Sequence, residues 1–140
     1  MSFASIRSVI ESKVWGQYQA LSPSVAVLFD NVQETPPDLP YVICIISYTT
    51  TTESVLCIDG EGLEAIVGNL QLSCYVPRAQ GMKQLEELAA EGMKAINTMY
   101  DPAATTKVKC GQINGPTAIL GDAAPYALAT LSCRFTASVP

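Results

Sequence analysis

Residues 62–100 read GLEAIVGNLQLSCYVPRAQGMKQLEELAAEGMKAINTMY: one long strand, a sharp stop, then the best helical pattern in the chain. From Ile66 the residues alternate. Ile66, Gly68, Leu70, Leu72, Cys74 and Val76 share one side; Asn69, Gln71, Ser73 and Tyr75 share the other. A period of two predicts a strand with one buried face. Pro77 has no N–H to give a ladder and ends the strand. A helix is expected to begin between Arg78 and Gly81. Met82, Leu85, Ala89, Gly92, Ile96 and Met99 then recur at steps of three or four, which makes one apolar stripe. Lys83, Glu86, Glu87, Glu91 and Lys94 fall largely on the other side. Such a strand and helix together can cover their own sheet.

The rest of the chain extends this unit in both directions. Ser2 can cap a helix in which Phe3, Ile6, Ile10 and Val14 follow helical spacing, and Gly16 is expected to weaken or end it. Residues 25–29 suit a short strand. Residues 33–40 hold three prolines and two acids and predict a structured loop or extended arm. Residues 41–48 form a continuous apolar run, expected as a strand covered on both sides. Four threonines follow, and Asp59-Gly60 is a turn signal. Residues 47–62 therefore read as an extended hairpin arm leaving the sheet, or as an exposed strand edge. After an Asp101-Pro102 break, residues 105–113 predict a strand with Lys107 and Lys109 on one face, and Val108 and Cys110 on the other. Asn114-Gly115-Pro116 reads as a turn before a short strand at 117–120. Residues 126–137 predict the last strand, with Leu131, Cys133 and Phe135 on one face. No repeat or linker divides residues 1–140, so one domain is expected. Helix, strands, helix, strands predicts an α+β fold: a single mixed or antiparallel sheet with two helices on one face, plus the arm.

Composition narrows the class. The 140 residues are 49% hydrophobic and 15% charged, which suggests that some apolar side chains serve an interface. The longest apolar run, residues 41–46, is strand-sized, and no signal-peptide pattern opens the chain, so a soluble protein that stays in the cytosol while it is made is expected. Formal net charge is −5. Between Lys13 and Arg78 every charged residue is acidic: Asp30, Glu34, Asp38, Glu53, Asp59, Glu61 and Glu64. These acids either aid solubility or form a wall that repels nucleic acid. Five cysteines without histidine or a C-x-x-C pair make a disulfide framework and a zinc site poor readings.

No catalytic constellation is visible. There is no phosphate loop, no dinucleotide fingerprint and no histidine to serve a serine or cysteine nucleophile. The pairs Asp59 with Glu61 and Glu86 with Glu87 are explained by a solvated turn and a solvated helix face. Trp15 is expected to pack at the end of the first helix, or to anchor an interface. No enzymatic activity, cofactor or metal is expected.

The chain resembles the tail terminator, or tail completion, proteins of long-tailed bacteriophages. The resemblance is carried by the opening Met1-Ser2-Phe3-Ala4-Ser5-Ile6-Arg7, by Phe29-Asp30-Asn31-Val32 with Pro36, Pro37, Pro40 and Tyr41, and by the run from Gly68 to Pro77 leading to Gly81 and the long helix. Order and spacing over nearly the whole chain carry it, since no motif is a chemical signature. The glycine-rich step usual before the helix is reduced here to Arg78-Ala79-Gln80-Gly81.

The resemblance implies a virion protein at the head-proximal end of the tail, assembled in the host cytoplasm. It implies a ring, usually of six copies, that caps the tail tube and stops its growth. Its expected partners are other copies of itself, the tail tube protein and the head-completion or neck connector protein. DNA passes through the lumen without specific binding, and no membrane is involved. The expected contact arm comprises Thr49, Thr50, Thr51, Thr52, Glu53, Ser54, Val55 and Leu56. The expected acidic lumen comprises Glu53, Asp59, Glu61 and Glu64. Two other readings stay open: a head–tail connector ring protein, and a small α+β ligand-binding domain.

Overall fold

A computed structural model of the chain describes residues 3–21, 24–29, 40–54, 63–77, 82–119 and 126–139. The elements are α1 (Phe3–Gln19), β1 (Ala26–Phe29), β2 (Tyr41–Ser54), β3 (Leu63–Pro77), α2 (Met82–Asn97), β4 (Lys107–Ile119) and β5 (Tyr126–Val139). The strands make one five-stranded sheet in the order β1-β2-β3-β5-β4. β1 is parallel to β2, and the other neighbours are antiparallel. This is the α+β fold expected from the sequence, a mixed sheet with both helices on one face.

Alternation along β3 decides the core. Ile66, Leu70, Leu72, Cys74 and Val76 are completely buried. The register aligns Leu72 with Cys44 and Leu131, Leu70 with Ile46 and Cys133, and Ile66 with Ala137. The rows at Leu72 and Leu70 are therefore apolar across β2, β3 and β5, and the row at Ile66 across β3 and β5. Ile6, Ile10, Val14 and Tyr18 close over them from α1, and Leu85, Leu88, Ala89 and Ile96 from α2. Each large side chain removed from water here contributes about 1.5–3 kcal/mol.

The helices are joined through Tyr18. Its Oη donates to the Leu88 carbonyl at 2.7 Å and lies 3.9 Å from Cys74 Sγ. Gln17 Nε2 donates to Glu91 Oε2 nearby. Gly92 permits the close approach: a Cβ there would stand 2.9 Å from Tyr18 Oη and 3.0 Å from Leu72 and Leu131.

Four expectations are corrected. Gly16 does not end α1, which runs to Gln19 because Tyr18 anchors its last turn in the core. Residues 41–48 are not covered on both sides. Val42, Cys44 and Ile46 face the helices, but Ile45 is 39% exposed, because both helices occupy the same face. Asn114-Gly115-Pro116 is not a turn between two strands but an irregular part of β4. An edge strand tolerates a residue without an N–H, and Gly115 takes φ +104°. Trp15 is 53% exposed, since it stands beside the buried stripe and not on it. The Ser2 cap, the loop at 33–39 and the step at 78–81 lie outside the described residues.

Candidate assembly surface

The residues expected to make contact divide at Ser54. Thr49, Thr50, Thr51, Thr52, Glu53 and Ser54 belong to β2, whereas Val55, Leu56, Asp59 and Glu61 lie outside the described residues. Residues 47–54 are thus the second half of a sheet strand, with β3 paired beside them to the end, and not an arm separate from the sheet. Threonine's branched carbon suits that extended backbone. One irregularity falls between Tyr48 and Thr50, where Thr49 Oγ1 donates to the Val67 carbonyl at 3.0 Å. The side-chain group thereby occupies an acceptor where the ladder shifts register.

The pairing brings two of the expected lumen acids together. Glu53 and Glu64 occupy one register position near the end of the β2–β3 hairpin, and Val139 of β5 follows in the same row. Sequence spacing alone had not matched these two acids, because the match depends on the irregularity at residues 48–50.

Among the described residues the two flanks of the sheet are open at the same end. β1 reaches only as far as Phe29, opposite Cys44, so residues 49–54 of β2 have no second strand beside them among the described residues. On the far flank β4 is regular from Lys107 to Cys110 and then shifts register twice, before Ile113 and again before Thr117. Tracing the rows across, Lys107 stands level with Ser138, Ala65 and Thr52, and Lys109 with Thr136, Val67 and Thr50. Lys107 and Lys109 are exposed, and Arg134 is exposed beside them on β5. Strand order gathers these bases on one flank.

A depression of about 460 Å³ lies between α1 and β1, lined by Glu11, Ser12, Trp15, Gly16 and Phe29. Its exposed indole is apolar surface of the kind that interfaces use as an anchor. On the uncovered face of the sheet, the rings of Tyr41 and Tyr75 stack with centroids 4.9 Å apart.

Cys74, Cys110 and Cys133 are free thiols. Burial pushes the Cys74 thiol up to about 11, opposed in part by its hydrogen bond with Tyr18. Burial, followed by the proximity of Cys74, raises the Tyr18 hydroxyl far above its ordinary value. A hydrogen bond with Cys133, and then burial, hold the Cys110 thiol protonated; Cys110 Sγ also lies 3.8 Å from Met99 Sδ. Among the described residues no group of three or more cysteines and acids could hold a metal ion, and no helix is long and apolar enough to cross a membrane.

Comparison with known proteins adds to the fold. No family model and no curated protein matches the chain. One solved structure, of a protein bearing no functional name, superimposes with a TM-score of 0.66 at 22% identity, over 100% of this chain and 96% of the other. That likeness shows a shared fold. A component of the virion of a native gene transfer agent particle matches over 99% of this chain and 98% of its own, at 17% identity and a TM-score of 0.46. At that score no shared property follows.

Proposed function

We propose that this chain is a structural virion protein of the tail terminator type, which forms a ring on the end of the tail tube, halts its growth and offers a surface to the neck. The sequence resemblance supplies the role. The observation that carries it to this structure is the long β2–β3 hairpin, which runs on from Cys44 to Ser54 and sets Glu53 opposite Glu64. The register thus puts two acids in one row near the described end of the hairpin. Set around a central opening, they give DNA a wall of its own sign to slide past. The mechanism is then mechanical: the subunit binds the last tube layer, and its far face offers no site for another.

The test is tube length. The tail tube protein encoded with this chain is polymerised with and without it, and lengths are measured by electron microscopy. Bounded tubes carrying one terminal ring support the reading. Tubes of unchanged length, with no terminal density, overturn it. Binding to the neck connector without any effect on tubes would mark the chain as a connector ring protein instead.

A further inference from the structure

We infer that copies of this chain join head to tail through their strand edges, with residues 49–54 of β2 in one copy pairing antiparallel with residues 107–110 of β4 in the next. The inference rests on the ring reading only for the closure of the assembly; the contact itself follows from the sheet. Three observations lead to it.

The first is direction. β2, β3, β5 and β4 alternate, so β2 and β4 run in opposite senses on the two flanks. A neighbour turned about a common axis, its sheet upright in the same way, therefore presents β4 antiparallel to β2. Such a contact is heterologous, the kind that builds rings.

The second is level. Both flanks are obstructed at one end of the sheet. β1 occupies β2 along Tyr41–Cys44, and at the same level β4 carries Pro116, which has no N–H to donate, between two register shifts. At the other end β2 is regular from Thr50 to Ser54, past the irregularity at Thr49, and β4 from Lys107 to Cys110, where Lys107 and Lys109 stand level with Thr52 and Thr50. The open segments meet without sliding one copy along the other. The exposed lysines share the uncovered face with the Thr50 and Thr52 positions, so the pleats agree.

The third is charge. Lys107, Lys109 and Arg134 stand together on the β4–β5 flank, whereas β1 and β2 carry no base and one acid, Glu53; on α1, Glu11 is paired with Arg7. A basic flank repels its own kind and meets no base on the β2 edge, which favours the head-to-tail encounter over the head-to-head one.

The experiment uses the whole chain. Light scattering behind a sizing column is expected to show an assembly of several copies that loosens at about 0.5 M salt, because salt screens the charge that favours the head-to-tail encounter. Thr50→Cys and Lys109→Cys chains, mixed in equal amounts and oxidised, are expected to yield a disulfide-linked pair. Neither chain alone should give it, since paired strands hold their β-carbons about 5 Å apart. The pair Thr50→Cys with Lys107→Cys accommodates a two-residue slip. The double variant Lys107→Glu, Lys109→Glu is expected to weaken association about tenfold or more, with an unchanged circular dichroism spectrum. A monomer at every concentration overturns the inference, and so does an assembly in which neither cysteine pair forms a bridge. An assembly bridged elsewhere that still caps tubes would sink the edge contact and leave the proposed function standing. Bridged rings that leave tubes unbounded would do the reverse.

Discussion

The Phe135 ring occupies the place where a side chain on Gly68 would stand. The two are register partners in the centre of the sheet, and a Cβ on Gly68 would come within 2.6 Å of the ring, besides striking the Ser47 carbonyl. Tyr48 meets the same ring edge-on, with centroids 6.2 Å apart, and Phe3 packs on Tyr48. A glycine in the middle of the best strand thus admits an aromatic chain that links β5 to the start of α1. Gly68→Ala is expected to cost about 3 kcal/mol, lowering the melting temperature by roughly 10 °C. Adding Phe135→Leu should recover part of that loss, because the ring is one of the two obstacles. Strict additivity in the double-mutant cycle would count against this packing.

Gly92 and Tyr18 form a second coupled pair. In an isolated helix Gly92→Ala would gain about 1 kcal/mol. Here it is expected to destabilise, since the new methyl meets Tyr18 Oη at 2.9 Å and that oxygen is held by the Leu88 carbonyl. Tyr18→Phe alone should cost about 1 kcal/mol for the lost hydrogen bond. Combined, the two should cost less than their sum. Urea unfolding of the four proteins gives the comparison.

Alkali should loosen the core through Cys74. Its folded value of about 11 lies above the ordinary 9.0, so the native state disfavours the thiolate. The sign follows: the contribution is fully present below pH 9 and is lost as pH rises through 11. Two units correspond to about 2–3 kcal/mol. The Tyr18 hydroxyl, also raised, adds to the loss at still higher pH. Urea midpoints are expected to be level from pH 7 to 8 and to fall between pH 9 and 11. The slope should be shallower in Cys74→Ala. An equally steep fall in that variant would assign the effect to other groups.

Trp15 is the sole tryptophan and stands mostly in water. Its emission is expected at long wavelength and open to acrylamide quenching at low protein concentration. Trp15→Ala should change stability by no more than about 0.5 kcal/mol, as for surface sites generally. If assembly covers the β1 flank, quenching falls as concentration rises. Equal quenching in monomer and ring would place Trp15 outside the contact.

Much of this fold is legible in the chain because it follows from local periodicity. The period of two from Ile66 to Val76 and from Ala127 to Ala137 names the buried face of both central strands, and the buried spacing in α2 follows its apolar stripe. These patterns need no partner to be read. Trp15 shows where that reading stops. Position 15 lies off the Ile6, Ile10, Val14 stripe, and the placement of α1 with that stripe on the sheet leaves the indole in solvent. Gly115-Pro116 reads as a turn because both residues favour turns, yet β4 absorbs them, its outer side being a sheet edge.

The candidate surface divides in the same way. The acidic run from Asp30 to Glu64 is a property of the sequence alone, and so is the threonine run that makes residues 49–54 extended. That Glu53 and Glu64 share a register position depends on where one strand slips against another. That Lys107 and Lys109 lie level with Thr52 and Thr50, on the opposite flank, depends on strand order across five elements. Local sequence determined which residues are extended, helical and buried. The long-range pairing of β2, β3, β5 and β4 decided which charges face which, because register and order are set by contacts between segments far apart in the chain.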